Sequence, residues 1–335
     1  MWGPLDLHGR SAFPLYHRLG VGVYEMSLNW RNTALSRPAN PTDPGDPAYR
    51  WPREIDTAVR RAERHGIAVT LMVIWTPGWA NGGQAGNWAP NSVDDLADFL
   101  AAASRRYPRV RRWMIWGEPT RHHNFMPLEP QTTGVRLTAQ QARAPRKYAR
   151  MLDAGYGALK QVNRRNVVIG GNSFSTGNIT TRNWIRYMRL RDGGRPRMDM
   201  YGHNPYTIRP PDLSLPLGSR RLGVADFSDL DSVMRWLDRF GYRDGRGRRL
   251  RLFLSEFSWP TDNLSYETNY YVKRKLQARW TAAALRVVRR TPRIATLGWF
   301  QLLDEPPRPD NLELNRGLLD YKGEPKPAFF AFRDG

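Results

Sequence analysis

Short apolar segments with strand character alternate along this chain with longer amphipathic segments, and this alternation constrains the fold more than any other feature. Each strand-like segment is followed by a loop and then by a helix-like segment, which is the pattern of βα units around a parallel sheet. The seven predicted strands are 21–29, 67–74, 110–116, 167–171, 198–202, 250–254 and 294–300.

The segments between these strands carry helix signals. Ser92 precedes a helical pattern whose first turn holds Asp94 and Asp95, where the helix dipole favours negative charge. Gly66 ends the first predicted helix. The predicted helices are 52–65, 93–106, 139–163, 181–191, 228–240 and 267–290, and 328–332 closes the chain.

The number of strands predicts an eight-stranded barrel with one incomplete strand. Residues 1–3 would supply the end of the missing strand, so either the chain is truncated at its N-terminus or another segment closes the barrel. No Gly/Ser/Pro-rich linker divides the 335 residues. We therefore predict an α/β fold, a single (β/α)8 TIM barrel domain over residues 1–335.

Two carboxylates stand where predicted strands end. Glu118 follows strand 110–116 in the run Trp-Gly-Glu-Pro, and Glu256 follows strand 250–254 in the run Leu-Ser-Glu-Phe-Ser-Trp. The C-terminal ends of barrel strands meet at one face, and paired carboxylates there are what cleavage of a glycosidic bond needs. The alternative is that each one forms an ion pair with one of the many arginines.

With these motifs the chain resembles clan A of the retaining glycoside hydrolases, which are (β/α)8 barrels with glutamates after strands four and seven. The resemblance covers nearly the whole chain and lies nearest to the β-xylosidase and α-L-iduronidase family or to the cellulase-like family. It implies double displacement on an oligosaccharide or polysaccharide, in which Glu256 attacks the anomeric carbon. Glu118, with a pKa raised by an apolar wall, would protonate the leaving oxygen and later deprotonate water.

The resemblance also implies which side chains bind the sugar. Trp299 matches the tryptophan that floors the sugar site, and His203 and Tyr206 match residues that line it, with Tyr206 orienting the nucleophile. The tryptophans could equally belong to the core, and His203 could be a satisfied histidine beneath the barrel rim. Further candidates near strand ends are Asn29, Trp75, Asn172, Asn204 and Trp259.

One position departs from the clan, which usually has asparagine directly before the acid/base to hold the sugar 2-hydroxyl. This chain has Gly117. Either another donor such as Asn124, Asn172 or Asn204 replaces it, or the vacated space admits a different 2-substituent, or strong catalysis has been lost. A transglycosylase with the same site and a catalytically weak carbohydrate-binding barrel therefore remain alternatives.

Composition and charge narrow the choice of partners. The formal net charge is +21, yet no helix-turn-helix, zinc-finger or RNA-binding signature accompanies it, so an anionic polysaccharide is favoured over nucleic acid. The chain has no cysteine, and His122 and His123 are adjacent and point in different directions, so neither metal nor cofactor is expected.

The apolar runs of this chain are short. No run approaches the roughly 18 apolar residues of a membrane span, and no charged-then-apolar leader precedes the chain. We expect no membrane partner and a monomer. The localisation is open, with an extracellular site favoured if a leader has been removed.

Overall fold

Seven parallel strands form one curled sheet in which each strand pairs with the next along the chain. The computed structural model describes residues 1–129, 136–215 and 223–335, so part of the predicted loop 120–137 lies outside the described residues. A two-stranded antiparallel hairpin, β1 (Asp6–Leu7) and β2 (Arg10–Ser11), precedes the sheet. The parallel strands are β3 (Val23–Asn29), β4 (Ala68–Ile74), β5 (Arg112–Ile115), β6 (Val167–Phe174), β7 (Met200–Asn204), β8 (Arg251–Phe257) and β9 (Ile294–Trp299).

Helices connect the strands, and the predicted α/β class is confirmed. Ser92 caps its helix, since its side chain accepts a hydrogen bond from the Asp94 amide. The helices are α1 (Phe13–Arg18), α2 (Trp30–Thr33), α3 (Arg53–Arg64), α4 (Gly78–Asn81), α5 (Val93–Arg106), α6 (Arg143–Val162), α7 (Thr181–Tyr187), α8 (Leu230–Arg239), α9 (Arg274–Arg290) and α10 (Pro327–Arg333).

The helix predicted over 267–290 begins seven residues later than expected, at Arg274. The preceding residues form a loop instead, in which the Val272 amide donates to the carbonyl of Pro260. This loop runs over the C-terminal ends of the strands. Because this segment is a loop, Tyr266, Glu267 and Tyr270 line a cavity at that end of the sheet.

Residues 1 and 2 lie between the two edge strands of the sheet. The Met1 amine donates to Val23 O and the Met1 carbonyl accepts from the Glu25 amide, both on β3. On the other side, the Trp2 amide donates to Trp299 O of β9. The same dipeptide thus bonds to both edges, at the position where the sequence places the end of an eighth strand.

Successive side chains along each strand pack into two separate cores. A small cluster of Met72, Met114, Ile169 and Phe253 fills the inside of the curled sheet. The much larger cluster lies between the strands and the helices and includes their neighbours, such as Trp113. A shift of one residue along a strand therefore moves a side chain from the inside of the sheet to the outer core.

Among the described residues, no helix combines the length and the apolar character that crossing a membrane requires.

Candidate active site

A cavity of about 740 Å³ opens at the C-terminal ends of the parallel strands. Glu118, in the loop after β5, and Glu256, near the end of β8, both line it. Tyr206, two residues beyond β7, lies on the same wall. Three side chains that the sequence singled out, separated by up to 138 positions, therefore face one space.

The backbone beside this cavity takes up conformations that ordinary residues avoid. Trp116 and Glu118 have positive φ angles of 69° and 43°, on either side of Gly117. Trp75 after β4 and Asn172 within β6 also have positive φ, at 64° and 36°. Such conformations cost of order 1 kcal/mol each and cluster at functional sites. Here they turn the chain just beyond β4 and β5 and within β6.

Glu118 is surrounded by hydrogen-bond donors. Its Oε1 accepts from Asn204 Nδ2 at 2.8 Å, and its Oε2 accepts from Arg121 Nη1 at 3.0 Å and from Asn124 Nδ2 at 3.2 Å. Arg121 also donates to Glu267 Oε2 at 3.2 Å. The apolar wall expected around Glu118 is therefore wrong: polar and cationic groups occupy that space.

Asn204 connects the two carboxylates through its single amide group. Its Nδ2 donates to Glu118, and its Oδ1 accepts from the backbone amide of Glu256 at 3.2 Å. The side chain is fully buried, at the end of β7 between β6 and β8. Because both polar atoms bind the protein, Asn204 positions the two glutamates, and we assign it no sugar contact.

Glu256 lies in a different environment. Tyr206 donates its hydroxyl to Glu256 Oε2 at 3.3 Å, which is the contact that the resemblance implied. Burial raises the pKa of Glu256 well above its usual value, and the negative charges of Glu118 and Glu25 raise it further. Glu25 is enclosed inside the sheet, where its Oε2 accepts from Ser255 Oγ at 2.8 Å and its Oε1 has no hydrogen-bond partner.

Trp259, two residues after β8, and Trp299, the last residue of β9, were predicted to bind the sugar but belong to the outer core. Trp299 is buried against Trp259 and Phe332, with its indole donating to Arg316 O. Trp259 is fully enclosed. The prediction for Trp299 is wrong by one residue, because strand alternation turns it outward while Phe300 lines the cavity.

His203 shows the same alternation, one residue before the inward-facing Asn204. It is fully buried, with Nδ1 at 2.8 Å from Ser173 Oγ and Nε2 at 3.0 Å from Ala225 O. Burial lowers the pKa of His203 to about 4. It is therefore the satisfied histidine that the sequence offered as the alternative, and it does not line the cavity.

The remaining predicted residues also lie away from the cavity wall. Asn172 is buried and donates to the Trp116 carbonyl at 3.2 Å. Asn29 caps α2 by accepting from the Asn32 amide at 3.1 Å. Trp75 makes an edge contact with Trp116. Asn172 and Trp75 both contact Trp116, which directly follows β5, whereas Asn29 stabilises the start of α2.

The space next to Gly117 is filled by the protein. A Cβ atom at this position would lie 2.8 Å from Met72 Sδ and 3.7 Å from Ile74 Cγ2. Of the three alternatives for the missing asparagine, the one in which the vacated space admits a substrate group is therefore wrong. A side chain at this position would have to displace the Met72 thioether, which belongs to the inner core.

Several cavity residues were missed from the sequence. Arg121 stands three positions after Glu118, a spacing at which an ion pair forms, and this signal was available. Tyr266, Glu267 and Tyr270 lie in the loop before α9, and a helix was wrongly predicted to begin at Glu267. Arg316 carries no local sequence signal.

The described ranges hold no group of three or more His, Asp or Glu side chains placed to bind a metal ion. His122 and His123 contact each other edge to face, with ring planes at 82°.

No family model matches this sequence, and comparison with curated proteins finds no match. Solved structures do match. A family 39 glycoside hydrolase from the gut symbiont Bacteroides cellulosilyticus WH2 is 18% identical over 96% of this chain and 59% of its own, with a TM-score of 0.65. A GH39 β-xylosidase from Caulobacter crescentus is 16% identical over 96% of this chain and 65% of its own, with a TM-score of 0.59.

A β-glucuronidase from Bacteroides uniformis is 11% identical over 99% of this chain and 34% of its own, with a TM-score of 0.58. This chain thus spans less than two thirds of each of these structures. At such low identity the likeness concerns architecture. The chain has the α/β fold, with a curled parallel sheet, that is found in these glycoside hydrolases.

Proposed function

We propose that this protein is a retaining O-glycoside hydrolase acting on an oligosaccharide or polysaccharide, built on a (β/α)8 barrel that residues 1 and 2 help to close. The observation that carries the proposal is that Glu118 and Glu256 line one cavity and are held by the same amide, that of Asn204. The fold shared with glycoside hydrolases supports it.

The reaction has two steps. Glu256 attacks the anomeric carbon and forms a covalent glycosyl ester while the bond to the leaving oxygen breaks, and Glu118 gives its proton to that oxygen. Glu118 then takes a proton from water, whose oxygen attacks the anomeric carbon and releases Glu256 as a carboxylate. Retention of configuration requires the two carboxyl groups to be about 5–5.5 Å apart.

The hydrogen bonds of Glu118 place a condition on the first step. A protonated Oε2 donates, so it cannot go on accepting from both Arg121 and Asn124. Arg121 already bonds to Glu267, which can keep the guanidinium when it leaves Glu118. We infer that substrate entry releases Arg121 from Glu118 and that Glu267 retains it.

A panel of 4-nitrophenyl glycosides tests the hydrolase proposal, with proton NMR of the first-formed sugar anomer to test retention. We expect sugar release from at least one glycoside with retained configuration. The proposal fails if no glycoside is cleaved and Glu256→Ala leaves oligosaccharide binding unchanged. A carbohydrate-binding barrel is then the better description if oligosaccharides still bind in the cavity.

A transglycosylase is the second candidate, and the rim of the cavity favours it. Ile208 and Tyr266 line the cavity and are 65% and 49% exposed, so they offer apolar surface against which an acceptor sugar could stack in place of water. Chromatography of the products with and without an added disaccharide acceptor separates the two reactions. Longer products would identify transfer.

A further inference from the structure

Arg316 is a buried cation that has no acidic partner in the described part of the chain. It is 4% exposed and lines the same cavity as Glu256. Lys326 is also a buried cation, but it forms an ion pair with Asp304 at 2.9 Å. Buried charges are normally paired, because removing an ion from water is unfavourable unless an opposite charge compensates.

The groups that contact Arg316 are neutral. Its guanidinium lies over the Tyr206 ring, 4.7 Å from the ring centroid. Its Nη1 reaches the Ser258 carbonyl only at 3.5 Å. A guanidinium has five N–H donors in a planar fork, so these contacts leave donors free for a ligand.

The other two arginines of the cavity already have acidic partners. Arg121 pairs with Glu118 and Glu267. Arg209 pairs with Asp226 at 2.6 Å and with Asp229 at 3.2 Å. Arg316 is therefore the cavity cation, within the part of the chain that the structure describes, whose charge an entering group can compensate.

We propose that Arg316 binds a carboxylate carried by the substrate, so that the enzyme prefers uronic acid glycosides to neutral ones. The inference rests on the proposed hydrolase function. Tyr206 contacts both groups, since its hydroxyl bonds to Glu256 and its ring face meets Arg316. Arg316 and Glu256 are thus both in contact with Tyr206, one at its ring face and the other at its hydroxyl. A sugar ring whose anomeric carbon faces Glu256 can therefore present its acid group to Arg316.

The planar fork of arginine is what selects a carboxylate. Two parallel N–H groups match the two oxygens of a carboxylate, and charge-assisted bonds of this kind are roughly twice as strong as neutral ones. A hydroxymethyl group at the same position would leave the guanidinium uncompensated. A sulfate ester would offer similar charge with different geometry, and the experiment separates these two sources of negative charge.

The test compares matched pairs of 4-nitrophenyl glycosides that differ only in the C6 group: glucuronide and glucoside, galacturonide and galactoside, and glucoside 6-sulfate. The readout is the ratio of kcat/KM for the acid over its neutral partner. We expect a ratio well above one in the wild type and a fall of about 10- to 100-fold in Arg316→Gln. Arg316→Lys should lose part of the preference, because an ammonium keeps the charge without the fork.

Arg251→Gln is the matched control, since this exposed arginine begins β8 at the opposite end of the strands from the cavity, and its ratio should equal that of the wild type. Thermal unfolding shows whether each variant is folded. If Arg316→Gln does not fold, Arg316→Lys carries the test. A merely structural Arg316 would lower both members of a pair equally and leave the ratio unchanged.

The outcomes distinguish this inference from the proposed function. Cleavage of neutral glycosides with an unchanged ratio in Arg316→Gln overturns the inference and leaves the hydrolase intact. A preference for the sulfate ester overturns the carboxylate assignment. If nothing is cleaved, calorimetry with glucuronic and galacturonic acid oligosaccharides decides: binding that Arg316→Gln abolishes supports the inference without the enzyme, and absence of binding ends both.

Discussion

Glu118 and Glu256 are the same residue type at two strand ends that face one cavity, but their surroundings differ. Glu118 follows β5 in a segment of positive φ and accepts hydrogen bonds from three side chains, one of them the cation Arg121. Glu256 is still part of β8, accepts from the neutral Tyr206, and is close enough to two other carboxylates for their charge to raise its pKa.

The sequence predicted an apolar wall beside Glu118, and the structure places a guanidinium and two amide groups there instead. Double displacement needs a proton on Glu118 and a negative charge on Glu256. In the free site, burial favours a proton on Glu256, whereas three side-chain hydrogen-bond donors face Glu118. Strand position brings the two acids together, whereas burial, followed by the charges of Glu118 and Glu25, sets the pKa of Glu256.

Removing either carboxylate should have the strongest effect on activity, and the two losses should differ in kind. Glu256→Ala should lower kcat on a good substrate by about 10⁴-fold or more, since it removes the proposed nucleophile. Glu118→Ala should cost about 10²- to 10⁴-fold, and less with a nitrophenyl leaving group that needs little protonation. Added azide should restore turnover in both variants, giving glycosyl azides of opposite configuration. Equal effects on all leaving groups would contradict the assigned roles.

Glu25 provides the next largest effect, on stability. Burial raises its pKa to about 7 from 4.5, although the buried Met1 amine and Ser255 oppose the shift. The folded protein therefore holds a proton that the unfolded chain has lost, so stability falls as pH rises from about 4.5 through 7. The cost reaches about 3 kcal/mol above pH 7.

Glu25→Gln isolates this contribution from the other acids. In urea denaturation, the stability of the wild type should drop relative to the variant between pH 4.5 and 8. Because the Glu25 charge raises the pKa of Glu256, the acidic limb of the variant's kcat/KM profile should also move to lower pH. A constant difference between the two proteins across this range would show that Glu25 does not titrate there.

The location of the site was predictable from sequence for a physical reason. Parallel strands bring their C-terminal ends to one edge, so Glu118, Tyr206 and Glu256 were assigned to a common face without any knowledge of their contacts. The fold class and the α5 bounds, Val93–Arg106, follow from periodicity and a cap in the same way.

The wrong assignments have a common cause. Trp299 and His203 were each one residue from the side chain that faces inward, Phe300 and Asn204, and short strands with bulges do not reveal which parity is inside. Arg316 was missed because it reaches the cavity from a loop far along the chain. Apolar patterns locate strand ends, but the neighbours of a charge are set by tertiary contacts.

Asn204 bonds to both Glu118 and Glu256, and removing its side chain should lower kcat moderately. Asn204→Ala removes the hydrogen bond that Asn204 donates to the Glu118 carboxylate and the one that it accepts from the Glu256 amide. Bonds to charged groups contribute about 1.5–3 kcal/mol, so kcat should fall about 10- to 100-fold with a smaller change in KM. Asn29→Ala, which removes only a helix cap, is the control: it should lose about 1 kcal/mol of stability and no activity. Equal activity losses in the two variants would contradict the positioning role.

Gly117, next to Glu118 after β5, is a position where a substitution should affect stability through Met72. A methyl group here meets Met72 Sδ at 2.8 Å, so Gly117→Ala should destabilise the protein by about 1–3 kcal/mol. Because the thioether is the flexible end of a side chain, pairing this change with Met72→Ala should recover part of the loss. Chemical denaturation of the two single variants and the double variant measures the coupling between the positions. Additive losses would mean that Met72 does not fill the space beside Gly117, and a substrate group would again be a possible occupant. Recovery in the double variant would instead leave Met72 as the reason why the strand end that delivers Glu118 carries glycine.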